Sequence, residues 1–196
     1  MAKLVTELNS ASDRVQRCLS LEITYRTFEF GWVFYNIFPS FDDQPILNDA
    51  VLKNSADRGG TKPGSLHANE DEFCSLLPDM RRFLENGETV FWMPVEADVA
   101  LEIKRWSFGD IEPFDPSRAD QDQSNVELIL DIDHYQFRDV TAYGGGMIKI
   151  VYLCSWTALR QFYRDLRAEF LTFRDANDIT AYNVTRGFDR PEHDWF

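Results

Sequence analysis

The sequence predicts an α+β domain, a mainly antiparallel sheet with two amphipathic helices packed on one face. Three observations carry that expectation. Two stretches repeat their apolar residues at the 3.6-residue period of a helix, and several others repeat them at the two-residue period of a strand. The strands also come in groups instead of alternating one for one with helices, which favours antiparallel neighbours over a parallel sheet. At 196 residues with 44% apolar content, the chain is long enough for one sizeable core, so 1–196 is expected to be a single domain.

Near the N-terminus Leu19, Leu21, Ile23 and Tyr25 alternate with polar residues, and Phe28, Phe30, Trp32 and Phe34 recur at the same period. These read as two strands, the second presenting an aromatic face. Residues 53–68 are polar and aperiodic, which predicts a long loop.

The first helix follows. Phe73, Leu76, Leu77, Met80, Phe83 and Leu84 fall on one face. Asn69 is the expected N-cap, with Glu72 three residues on as in a capping box, and Asn86-Gly87 supplies a left-handed stop. Pro78 should bend this helix or delay its regular start.

Residues 89–94 and 98–106 read as paired strands, with Val99, Leu101 and Ile103 on one face and Glu102 and Lys104 on the other. A second long loop is expected over 109–125, rich in Asp, Pro, Ser and Gln. In 126–137 the same alternation puts Val126, Leu128, Leu130 and Ile132 inward and Glu127, Asp131 and Asp133 outward. Gly144, Gly145 and Gly146 make a turn into 147–154, which is apolar on both faces apart from Lys149 and is therefore expected to be a central strand.

The second helix starts at Ser155 or Thr157. It carries Leu159, Phe162, Tyr163, Leu166, Phe170 and Phe173 on one side and Arg160, Arg164, Asp165, Arg167 and Glu169 on the other. The tail 174–196 shows no regular period.

Charge narrows the function classes. Against 20 Lys and Arg stand 33 Asp and Glu, a net −13. Phosphate backbones repel such a chain, so no nucleic-acid partner is expected. No apolar run approaches the roughly 20 residues that cross a bilayer, and the first ten residues lack the apolar stretch of a secretory signal. No membrane association and a cytoplasmic location follow as expectations. Cys18, Cys74 and Cys154 are odd in number and widely spaced, as reduced thiols would be.

No motif of nucleophilic, phosphate-binding or zinc chemistry occurs, so no cofactor and no enzymatic activity are expected. The Gly144–Gly146 run precedes a strand, whereas a phosphate cradle needs glycines opening a helix. His67 and His193 have no nucleophile or cysteine nearby in sequence. The best chemical candidate is the row Glu127, Asp131, Asp133, with His134 in the opposite phase. Such carboxylates could bind a hard cation or act as an acid and base in a metal-dependent hydrolase. The same row also reads as a solvated strand face.

More telling is where the charge gathers. Residues 110–139 hold nine carboxylates and two arginines, 2 − 9 = −7, more than half of the net charge. Asp110, Glu112, Asp115, Asp120, Asp122, Glu127, Asp131 and Asp133 are thus candidates for an acidic docking face that receives a basic protein. The aromatic series 28–34 is a second interface candidate, one that would make the chain an oligomeric structural or regulatory module.

Glu72 to Glu85, Val99 to Ile103, Ile148 to Cys154 and Leu159 to Phe170 together resemble the WapI-like family of bacterial immunity proteins, over roughly residues 70–173. That resemblance implies a non-enzymatic protein that binds and blocks a cognate toxin domain. It transfers no catalytic residue.

Overall fold

The first half of the chain folds as hairpins, because its apolar residues alternate and its turns fall on a left-handed backbone. In the computed structural model, which describes residues 1–8, 17–48, 52, 62–71, 75–94, 99–106, 115, 126–133 and 147–185, strands β1 (Ala2–Leu8), β2 (Arg17–Glu29) and β3 (Trp32–Phe41) pair in sequence, each antiparallel to the last. Phe30 and Gly31, at φ 55° and 87°, form the two-residue turn between β2 and β3. Two positive φ values give the twist that antiparallel neighbours need. Asp42 and Asp43, at 48° and 61°, do the same before β4 (Gln44–Pro45). β5 (Leu66–Asp71) pairs back along β3 and completes a five-stranded sheet.

Two expectations are corrected by this arrangement. The aromatic series 28–34 is not one strand face: Phe28 lies near the end of β2 and meets the Tyr182 ring edge-on at 5.1 Å, Phe30 stands 91% exposed in the turn, and Trp32 and Phe34 open β3. The two-residue period simply runs through the turn, so the surface imagined for an oligomeric module is absent as such. The polar stretch 53–68 ends in a strand rather than a loop, since β5 begins at Leu66 and takes in His67.

A second, four-stranded sheet runs β6 (Val90–Trp92), β7 (Val99–Arg105), β8 (Val126–Asp133), β9 (Met147–Cys154), all antiparallel and in sequence order. β9 is therefore at the edge of this sheet, not at its centre. The α+β class and the antiparallel pairing hold, but the strands divide between two sheets. β1 lies beside β9, and β5 lies beside β7. Val33, Tyr35 and Ile37 from one sheet share a core with Leu101, Leu128, Leu130 and Tyr152 from the other.

The helices close that core. α1 (Leu76–Asn86) places Leu76, Leu77, Met80 and Phe83 inward. Pro78 sits in its first turn, where the missing N–H has no helical partner to lose, so the helix accommodates it there. Asn69 is not the N-cap; it lies in β5, and Ser75 takes the cap position. Gly87, at φ 68°, ends the helix and returns its N–H to Phe83 O at 2.8 Å.

In α2 (Trp156–Ala176) the Ser155 hydroxyl accepts the Ala158 N–H at 3.1 Å, and Trp156, Leu159, Phe162, Leu166 and Phe170 are buried. Each such side chain contributes about 1.5–3 kcal/mol by leaving water. α2 packs on β1 and β2, α1 on β6 and β7, and the rings of Phe83 and Trp156 stack at 4.8 Å between the helices. A short α3 (Ile179–Thr185) occupies part of the tail that shows no sequence period, held by the buried Ile179. Among the described residues, no helix is long and apolar enough to cross a membrane.

Candidate partner-binding face

β8 is the spine of the second sheet, and its register sets the site. Alternation turns Val126, Leu128, Leu130 and Ile132 into the core and leaves Glu127, Ile129, Asp131 and Asp133 on the opposite face. Glu127 lies between Lys104 of β7 and Leu153 of β9, Ile129 between Glu102 and Val151, and Asp131 between Ala100 and Lys149. Cross-strand neighbours of opposite sign attract at this spacing.

The charges on the face are partly satisfied within it. Lys104 Nζ lies 3.4 Å from Glu127 Oε2 and 3.5 Å from Glu102 Oε1. Burial works against the Lys104 ammonium, yet the two carboxylates outweigh it and hold its pKa above the usual lysine value. Lys149 Nζ lies 3.0 Å from Asp131 Oδ1.

Asp131 differs from the expected solvated carboxylate. It lies in the outward phase but is only 4% exposed. Buried and paired with Lys149, it is part of the sheet's framework. The Glu127 and Glu102 side chains keep 19% and 26% of their surface. Asp133 is half-buried and engaged by a contact of its own. Asp115 is exposed, also with a contact of its own. Asp110, Glu112, Asp120 and Asp122, like His134 and His193, lie outside the described residues.

Glu127, Asp131 and Asp133 do not converge on a point: they succeed one another along the strand, with lysines beside the first two. Among the described residues, no group of three or more His, Cys, Asp or Glu could hold a metal ion.

Sequence reasoning missed two features. The first is apolar exposure on this sheet, at Phe91 and Met93 by one edge and at Ile148, Val151 and Leu153 along β9. The signal was present in the double-sided apolar character of 147–154, which also suits an edge strand that meets a partner.

The second is Glu70, buried where the sheets and α1 meet. Tyr35 Oη and Trp92 Nε1 donate to its carboxyl group, and Ser75 donates to Oε1 through both its N–H (3.1 Å) and its hydroxyl (2.8 Å). Burial raises the pKa of this carboxyl against the pull of those four donors. Its chemistry is that of a clasp joining β3, β5, β6 and the start of α1.

A groove of about 570 Å³ opens between Tyr25 and α2, with Glu169 and Phe173 in its wall. Both Glu169 oxygens are engaged, by the Met1 nitrogen at 2.7 Å and the Tyr25 N–H at 3.2 Å. Cys154 is buried, and that burial pushes its thiol up to about 12, away from nucleophilic chemistry.

No protein-family model, curated protein or solved structure matches this chain.

Proposed function

We propose that this chain is a non-enzymatic binding protein of the cytoplasm that neutralises a cationic protein, in the way bacterial immunity proteins neutralise their cognate toxin domains. The observation that carries this reading is the uneven distribution of charge along the sequence, together with the place of β8 within it. α1 and α2 hold six arginines against five carboxylates, 6 − 5 = +1, whereas 110–139 carries −7 within a chain of −13. The strand inside that acidic segment is β8, whose carboxylates lie on the face opposite the core.

An acidic surface accelerates encounter with a basic one and fixes its orientation, over a range of about 10 Å at 0.1 M salt. Carboxylates on a sheet face can enter a cationic cleft and compete with the anionic substrate that the cleft serves.

The test is co-expression with the C-terminal domain of the polypeptide encoded directly upstream. Restored growth and an equimolar complex on gel filtration are expected. Continued growth arrest with the two proteins eluting apart would overturn the reading.

A further inference from the structure

Resting on that reading, we propose that the cationic partner docks on the outward face of the β6–β9 sheet, with Val151 and Leu153 as its apolar centre and Glu127 and Glu102 as its acidic rim. The edge strand β9 is the first reason. Natural sheet edges are guarded by charge, bulges or covering segments; β1 lies beside this one but does not pair with it among the described residues. β9 has a single charged residue, Lys149, already paired with Asp131, and it exposes Ile148 (42%), Val151 (43%) and Leu153 (38%).

Register is the second reason. Leu153 lies directly beside Glu127, and Val151 beside Ile129, whose other neighbour is Glu102. Leu153 therefore borders Glu127 directly, while Val151 is separated from Glu102 by the buried Ile129. A protein interface has this anatomy, an apolar centre with a polar rim.

The rim can also change partner. The Lys104 ion pairs, at 3.4 and 3.5 Å, are longer than a charge-assisted hydrogen bond, and the Lys104 side chain keeps 35% of its surface. An incoming guanidinium can take Glu127 with two parallel N–H donors, which an ammonium cannot do.

Charge complementarity selects the occupant. The outward face holds Glu102, Glu127, Asp131 and Asp133 against Lys104 and Lys149, 2 − 4 = −2. A second copy of this chain would bring another −13 to the contact, whereas a basic surface with exposed aliphatic side chains matches both the carboxylates and the valine–leucine pair.

The experiment uses the intact isotope-labelled chain and two synthetic probes, a peptide alternating lysine with valine and its lysine–serine counterpart. Amide shifts are expected at Glu127, Val151 and Leu153, with the valine peptide binding about tenfold tighter than the serine one. Val151→Lys/Leu153→Lys should weaken the valine peptide about tenfold or more, while Arg164→Glu on α2 leaves its affinity no weaker and far-UV circular dichroism reports an unchanged fold in both variants.

Tight binding with shifts confined to the helices or the first sheet would overturn this face and leave the cation-binding reading standing. Binding of neither peptide would overturn both. A dimer in sedimentation that Val151→Lys/Leu153→Lys dissociates would assign the face to a second copy and overturn the proposal.

Discussion

Lys149 and Asp131 face each other across the β8–β9 ladder with their charged ends 3.0 Å apart, the lysine side chain 54% exposed and the aspartate 6%. The pair is unequal. Without its partner, Lys149 turns its ammonium into water, but Asp131 has nowhere to go.

Lys149→Ala should therefore cost more stability than Asp131→Asn, about 1–3 kcal/mol against less than about 1 kcal/mol, because only the first leaves a buried charge unpaired. Urea unfolding midpoints check this, and equal losses would contradict it. For the same reason Glu127, not Asp131, is the residue on which charge reversal isolates partner binding from folding.

Glu70 makes a second prediction, about pH. Its folded pKa lies above the ordinary value of 4.5, so the folded chain holds this proton more tightly than the unfolded chain does. The corresponding stability is fully present below 4.5 and is lost as pH rises from there through the raised folded value. Glu70→Gln, which keeps an acceptor for Trp92 and Ser75 but cannot ionise, should remove that part of the slope. Glu70→Ala abandons all four donors at once and should cost about 3 kcal/mol or more. Thermal midpoints of the chain and of Glu70→Gln across this range are the check, and parallel curves would contradict the account.

Gly64 is the third. Its φ of 80° strains any other residue, and a Cβ there would stand 2.4 Å from Leu47 O and 2.7 Å from Pro45 Cβ. Gly64→Ala should lower stability by about 2–4 kcal/mol, combining backbone strain with overpacking. Gly87→Ala, which meets the strain of φ 68° at a helix end, should cost about 1 kcal/mol. Calorimetric midpoints in the reverse order would contradict this.

What the sequence makes legible is what neighbouring residues decide. Ser155 and the spacing of Leu159, Phe162, Leu166 and Phe170 mark α2 without any tertiary information, and the alternation of Val99 to Ile103 and of Val126 to Asp133, broken only by the apolar Ala100 and Ile129 in the outward phase, marks β7 and β8. β1 escapes notice because Val5 faces out while Thr6 is buried, which blurs its period.

β5 escapes because Leu-His-Ala-Asn-Glu-Asp reads as solvent-loving. Glu70 is buried only because Tyr35 and Trp92 arrive from other strands to satisfy it. The place of β9 at the edge, and with it the candidate face, depends on strand order, a long-range property that local pattern does not encode. Acidity itself is legible, but the pairing of Asp131 with Lys149 and of Glu127 with Lys104 emerges only from register.

The most direct test of the central claim is the stopped-flow association rate of this chain with the C-terminal domain of whatever polypeptide is encoded directly upstream, the partner proposed above, measured from about 0.05 M to about 0.5 M salt. A rate that falls by about tenfold or more with salt, and that Glu127→Lys lowers at low salt, is the expected result. A rate indifferent to both salt and Glu127→Lys would contradict the claim that an acidic sheet face draws in a cationic partner.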